Sequence, residues 1–219
     1  MSKYKYVLFD LDGTVSESVD GIKESLEYAI SEIGCERPNL EDYTLYVGPP
    51  LIDTFTGLCG LDSETAERGA RLYRDYYNKK GKFRNRAYGG VRELAQRLKG
   101  DGARLAVCTS KYEEFAKEII GIIGLEGCFD AACGSNLDGS RKDKKDLIPY
   151  AVKALGGDLE RDRKDIVMLG DSRFDAYGAK LCGVDFIGVS YGYGSVEEML
   201  GLGAKGIAAS PEGLYEYLK

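Results

Sequence analysis

Residues Tyr6-Val-Leu-Phe-Asp10-Leu-Asp-Gly-Thr14 decide how this chain folds. Four consecutive apolar residues with no polar alternation suit a strand buried on both faces, and the run stops abruptly at an acid. In an open parallel sheet, ligands bind beyond the carboxyl ends of the strands, so Asp10 stands where chemistry is expected. Asp12 brings a second carboxylate to the same place, and Gly13 lets the backbone turn sharply between them and the next segment. Two carboxylates so close need a cation, a shared proton or separate roles. A strand-end turn carrying Asp-Gly is common by itself, so the weight falls on what else reaches that edge.

Two more runs repeat the pattern. Leu105-Ala-Val-Cys108 leads into Thr109-Ser110, and Ile166-Val-Met-Leu169 leads into Gly170-Asp171. Helical faces lie between and after them: Val91, Leu94, Ala95 and Leu98; Phe115, Ile119, Ile122 and Ile123; Ile148, Val152 and Leu155; Ala176, Ala179 and Leu181. A further strand is expected over Asp185–Val189. Strands alternating with helices of this length read as βαβ units in an α/β fold, a doubly wound, Rossmann-like parallel sheet. Residues 16–86 break the alternation. They carry helical faces (Ile22, Leu26, Ala29, Ile30, Ile33; Ala66, Ala70, Tyr73, Tyr77) and no convincing strand, and about seventy residues are too many for a crossover. The expected organisation is a catalytic core of residues 1–15 and 87–219, with residues 16–86 inserted as a small α-helical domain.

Composition sets limits on the function. The 219 residues are 43% hydrophobic and 30% charged, enough to bury a core, and no apolar run is long enough to span a bilayer. A net charge of −6 argues against a nucleic-acid polymer as partner, since backbone binders present a basic face. The N-terminal residues carry no signal-like apolar stretch, so the six scattered cysteines are expected to be reduced, in a cytoplasmic protein with no membrane partner. The absence of histidine removes His-dependent triads and His-ligated zinc sites.

The other strand ends supply the rest of a reaction centre. Asp171 and, one helical turn on, Asp175 add carboxylates; an oxygen-rich set of this kind suits Mg²⁺, which usually meets a phosphate. Thr109 and Ser110 offer hydroxyls and free backbone N–H groups ahead of a helix beginning near Glu113. Lys144 or Lys145, at the start of the helix bearing Ile148, brings positive charge to the same edge. A carboxylate attacking phosphorus needs charge neutralisation from such a cation and lysine. A second acid must then protonate the leaving alkoxide and later deprotonate water, and Asp12 is the candidate that sequence logic places there.

Asp10-x-Asp12-Gly13-Thr14, Thr109, a downstream lysine and Gly170-Asp171-x-x-x-Asp175 resemble the four ordered motifs of the haloacid dehalogenase superfamily of phosphohydrolases. The resemblance covers essentially the whole chain, including a helical cap inserted after the first strand, as in subfamily I. Val47-Gly-Pro-Pro-Leu51, Tyr73-Arg-Asp-Tyr-Tyr77, Thr109-Ser-Lys111, Gly134-Ser-Asn-Leu-Asp-Gly139 and Tyr191-Gly-Tyr-Gly-Ser195 resemble the phosphoglycolate phosphatase and 5′-nucleotidase-like branch. The resemblance implies Asp10 as nucleophile and metal ligand, and Asp12 as general acid/base with its carbonyl on the metal. It implies Thr109 on the transferring phosphoryl group with Ser110 beside it. It makes Lys144 the third-motif lysine, with Lys145 as the fallback. Asp171 is then a Mg²⁺ ligand, Asp175 orients it or a metal-bound water, and Gly48 of the cap faces the substrate, a small-molecule phosphate ester.

Residue types exclude several neighbours. Dehalogenases carry an aromatic residue where this chain has Asp12; a phosphonatase needs a cap lysine, and none lies between Lys23 and Lys79. Mutases resembling β-phosphoglucomutase use a cap histidine, which argues against transfer to a second hydroxyl, although a phosphotransferase or mutase stays open as an alternative. A receiver-like phospho-aspartate signalling module is the alternative from another class; the middle strand ending in Thr109 disfavours it. Gly201-Leu-Gly-Ala-Lys-Gly206 matches a dinucleotide fingerprint but follows a helix and precedes a strand, the wrong order for a cofactor loop. Tyr73 and Tyr77, at helical core spacing, are expected to be packing residues rather than stacking platforms.

Overall fold

A computed structural model describes residues 1–36, 38–138 and 140–219; Gly139, the last residue of the Gly134–Gly139 stretch, lies outside the described residues. The elements in chain order begin with β1 (Tyr6–Phe9), β2 (Ser16–Glu17), α1 (Val19–Ile33), α2 (Leu51–Cys59), α3 (Ser63–Lys79) and β3 (Arg86–Ala87). They continue with α4 (Val91–Gly100), β4 (Arg104–Tyr112), α5 (Glu113–Ile122), β5 (Ala131–Ser135), α6 (Lys144–Ala154) and the single turn α7 (Leu159–Asp162). The chain closes with β6 (Ile166–Gly170), α8 (Arg173–Cys182), β7 (Asp185–Val189), α9 (Val196–Gly201), β8 (Ile207–Ala208) and α10 (Pro211–Leu218).

Six strands form one parallel sheet in the order β5-β4-β1-β6-β7-β8. The continuous apolar runs are explained by burial on both faces. Val7 and Phe9 of β1, Leu105 and Val107 of β4, and Val167 and Leu169 of β6 pack on one side with Leu94, Leu98, Ile119 and Leu214. Tyr6, Leu8, Ala106, Cys108, Ile166 and Met168 pack on the other with Ile148, Val152 and Ala179. Asp10 follows the central strand directly, so the order of strands places it at the middle of the sheet's carboxyl edge. Strand β5 was not expected: Ala131-Ala-Cys-Gly-Ser135 lacks β-branched residues and sits at the sheet edge, where its neighbour β4 supplies the pairing.

Residues 16–17 and 86–87 pair antiparallel, Ser16 with Ala87 and Glu17 with Arg86, so the chain leaves and re-enters the sheet region through one narrow neck. Between them α1 packs on α3, and α2 on α3. Helix α2 was not expected either; it starts directly after the Gly48-Pro49-Pro50 turn. No helix among the described residues is long and apolar enough to cross a membrane. All six cysteines are free.

Helix α6 is set by two local features. Pro149 lies inside it and removes the N–H that would bond the Lys145 carbonyl, which instead accepts the Cys182 thiol of α8 at 3.6 Å. Gly178 lets α8 approach the start of α6, since a Cβ there would lie 2.2 Å from Lys144 Cβ. Gly178→Val is therefore expected to overpack this contact at a cost of about 1–3 kcal/mol. A urea midpoint equal to or above that of the parent protein would show that the close approach is dispensable.

Candidate active site

The turn after β1 is built by its own backbone: Val15 and Ser16 N–H both donate to Leu11 carbonyl, at 3.0 and 2.8 Å, and Gly13 N–H donates to Ser16 carbonyl. Gly13 sits at φ +83°, and a side chain there would also strike Asp171. This turn presents Asp10 and Asp12 in different directions.

Asp10 points into the sheet edge beside Lys144. The Lys144 side chain is 3% exposed, and its ammonium donates to Asp10 Oδ1 and to the Cys108 carbonyl, both at 2.7 Å, and pairs with Asp175 Oδ1 at 2.6 Å. Burial alone would lower its pKa, but Asp10 and Asp175 override that and hold it up. Lys145 is exposed, so Lys144 is the lysine that the start of α6 delivers to the site.

Asp175 is fully buried by a capping box. Its Oδ2 accepts from the Ser172 hydroxyl at 2.6 Å and the Ser172 N–H at 3.2 Å, while its own N–H donates back to the Ser172 hydroxyl. Gly170 leaves room for this carboxyl, since a Cβ there would lie 2.4 Å from Asp175 Cγ. Burial first, then Asp10, pushes the Asp175 carboxyl up to about 6, against the pull of Lys144.

Asp171 lies between three glycines. Besides Gly13, a Cβ on Gly192 would fall 2.4 Å from Asp171 Cβ, and one on Gly194 would fall 2.0 Å from its carbonyl oxygen. Between those glycines, Tyr193 N–H donates to Asp171 Oδ2 at 2.7 Å. Burial, then Asp175 and Asp10, raise the Asp171 carboxyl well above the usual carboxylate range. Carboxylate oxygens of Asp10, Asp171 and Asp175 all lie within 4.8 Å of one another. Of these three buried carboxyl groups, Asp10 and Asp175 pair with the Lys144 ammonium and Asp171 does not, an imbalance that a hard divalent cation would correct, and the all-oxygen donor set fits Mg²⁺.

Asp12 turns the other way. Its Oδ2 is 3.0 Å from the Lys111 ammonium, and its Oδ1 is buried with no hydrogen-bond partner among the described residues. Lys111 also donates to the Tyr77 hydroxyl at 2.9 Å. Burial would lower the Lys111 pKa; Asp12 foremost, with the Tyr77 and Tyr73 hydroxyls, reverses the direction. Thr109 is buried and accepts from Lys111 N–H at 3.2 Å. The β4–β5 register shifts between Cys108 and Tyr112, which releases Thr109, Ser110 and Lys111 from regular pairing on that side.

One cavity joins these groups to the helices of the insertion. Asp10, Asp12, Thr109, Ser110, Lys111 and Lys144 form its floor with Ser172, and Ile22, Tyr46, Gly48, Pro49, Leu51, Tyr73, Arg74 and Tyr77 close it from above. Gly48, at φ +107°, packs against the Phe174 ring. The sequence-derived residues Asp10, Asp12, Thr109, Ser110, Lys144 and Gly48 thus line a single space, with Asp171 and Asp175 behind Asp10. Tyr73 and Tyr77 are buried, as their spacing suggests, yet they also face the cavity. Sequence reasoning gave no task to Lys111, although it stands in the quoted Thr109-Ser-Lys111 stretch, nor to Arg74 beside Tyr73.

The family model for haloacid dehalogenase-like hydrolases matches residues 7–189. A 5′-nucleotidase from Pseudomonas aeruginosa is 36% identical over 90% of this chain and 87% of its own length. A protein named tyrosine-protein kinase PtkA from Mycobacterium tuberculosis is 38% identical over 87% of this chain, which spans 64% of that longer protein. A phosphoglycolate phosphatase from Caulobacter vibrioides is 31% identical over 85% of this chain and 79% of its own. The crystal structure of a predicted phosphatase from Clostridium acetobutylicum superposes with a TM-score of 0.90 at 39% identity, covering 99% of this chain and 98% of that one.

Crowded like charges leave a signature in stability. Asp171 and Asp175 hold their protons more tightly folded than unfolded, so ionising them disfavours the folded state, and stability contributed by the protonated forms is lost as pH rises from about 4 through 6 and above. In a chelator, Asp171→Asn is expected to melt above the parent protein, by a margin that widens from pH about 4 to about 7. Mg²⁺ is expected to raise the melting temperature of the parent and not of the variant. Parallel melting curves at every pH would contradict the charge assignment.

Proposed function

This chain belongs to the haloacid dehalogenase-like hydrolases and is a phosphatase among them, and on that premise we propose that it hydrolyses a small organic phosphate monoester with Mg²⁺, through an aspartyl-phosphate on Asp10. The observation that carries the reading is Asp10 itself. One oxygen is tied down by a buried ammonium, and the side chain opens on a cavity lined by Thr109 and Ser110.

In this reading, Asp10 and Asp171 with the Asp12 carbonyl hold the metal, and Asp175 fixes Lys144 and crowds Asp171 from behind. Bound there, Mg²⁺ supplies positive charge to the phosphoryl oxygens, which otherwise repel the attacking carboxylate. Asp10 forms a bond to phosphorus as the ester P–O bond breaks, and Asp12 gives its proton to the departing alkoxide. Thr109, Ser110 and Lys144 receive the charge on the transferring group. Asp12 then takes a proton from water as the water oxygen bonds to phosphorus, and the Asp10 carboxylate is released. The helical insertion acts as a cap that excludes bulk water and meets the leaving group. Phosphoglycolate-like esters and nucleoside 5′-monophosphates are the two substrate classes this reading favours, following the names of the relatives.

A second reading, transfer to a hydroxyl acceptor, rests on the relative named a tyrosine kinase. A panel of metabolite phosphates, assayed for inorganic phosphate with and without Mg²⁺, separates the two. Multiple-turnover phosphate release that stops in chelator and returns with Mg²⁺ is expected. Asp10→Asn is expected to reduce it to background while keeping the parent's circular dichroism. Substantial turnover by Asp10→Asn would remove the mechanism, and phosphate recovered only on an added hydroxyl acceptor would favour the second reading.

A further inference from the structure

The proposed chemistry leaves one buried cation at the site without a task. Lys111 is 8% exposed, and its carboxylate partner is Asp12, through Oδ2 alone. Asp12 Oδ1 stays bare, buried beside the cavity. Lys111 is in turn held by the Tyr77 hydroxyl of α3, which also accepts from Asn85 Nδ2 at 2.9 Å, and Asn85 Oδ1 accepts from the Ser16 hydroxyl at 2.7 Å. Ser16 and Asn85 stand at the two-stranded neck where the helical insertion joins the sheet region.

We propose that Lys111 is a positioning residue for Asp12: it anchors Oδ2, so that Oδ1 is the oxygen that exchanges the proton with the leaving group and with water, and Tyr77 fixes Lys111 from the insertion. The inference rests on the reading of Asp12 as the acid/base. A carboxylate free to rotate presents either oxygen in many directions, and general acid catalysis depends on a hydrogen bond of set geometry to the reacting oxygen. Pairing one oxygen with a buried ammonium removes that freedom. The chain of contacts from Ser16 through Asn85 and Tyr77 also makes the orientation of Asp12 depend on how the insertion is seated at its neck. The other role open to Lys111 is direct contact with an anionic leaving group, and the two predict different kinetics.

The test is kcat/KM for two uncharged leaving groups of similar shape, para-nitrophenyl phosphate, whose phenolate departs unaided, and phenyl phosphate, which needs a proton. Lys111→Met is expected to lose about tenfold more on phenyl phosphate than on the nitro ester, and Asp12→Asn to show the same bias more strongly, within the roughly 10²–10⁴-fold scale of general acid catalysis. Tyr77→Phe, which keeps the ring and removes only the hydroxyl, is expected to show the bias in weaker form and remains informative if Lys111→Met does not fold. Equal losses on the two esters for Lys111→Met and Tyr77→Phe, with the bias intact in Asp12→Asn, would overturn the role of Lys111 alone. A loss confined to KM would assign Lys111 to substrate binding and overturn it as well. If Asp12→Asn itself lacks the bias, the acid/base reading fails and the positioning role falls with it.

Discussion

The site hangs on one ammonium group. Lys144 has three partners inside a water-excluded corner: the Asp10 carboxylate after β1, the Cys108 carbonyl of β4 and the Asp175 carboxylate of α8. A buried charge is tolerated only when paired and fully hydrogen-bonded, and leaving one partner out costs several kcal/mol. This requirement fixes the spacing between β1, β4, α6 and α8, and explains why Gly178 must be small where α8 crosses the lysine. It also explains why Asp175 spends its other oxygen on Ser172: a carboxylate shared between a lysine and a helix cap has no freedom left.

The candidate site at the sheet's carboxyl edge was legible in the sequence because its parts are local. Each apolar run leads to the residue that matters: Asp10 and Asp171 follow from where β1 and β6 stop, whereas β4 continues past Thr109, which stands where the pairing with β5 loses its register. Lys144 was harder, since a basic run at a helix start offers two adjacent lysines; helical geometry sends one of them to Asp10 and the other to solvent. Strand β5 was illegible because Ala131-Ala-Cys-Gly-Ser135 carries no periodic signal and is held by its neighbour. Helix α2 was hidden behind a Gly-Pro-Pro turn.

The contacts that were missed share a physical cause: they depend on pairs remote in sequence and on small residues whose meaning is spatial. Gly13, Gly192 and Gly194 surround Asp171, and no single one of them reads as part of a carboxylate site. Once the fold is known, their reason is plain. Backbone approaches Asp171 closely at all three glycines, and between two of them Tyr193 N–H reaches it as a donor. Tyr77 is a related case. Its spacing marked it as core, and it is buried, but the same burial delivers its hydroxyl to Lys111 across the boundary between the insertion and the sheet.

Asp10 and Asp12 are separated by one residue and yet are held by different parts of the protein. The lysine on Asp10 is anchored entirely by the sheet and the helices behind it, so its geometry does not depend on the insertion. The lysine on Asp12 is anchored by Tyr77 of α3 and, through Asn85, by the neck. In the proposed reaction the nucleophile must be ready whenever a phosphate arrives, and the proton donor is useful only once the leaving group has been enclosed. Assigning one carboxylate to the rigid sheet and the other to the inserted helices meets both demands within a three-residue stretch of chain. The sharp turn at Gly13 is what allows it, because it lets neighbouring side chains face opposite supports.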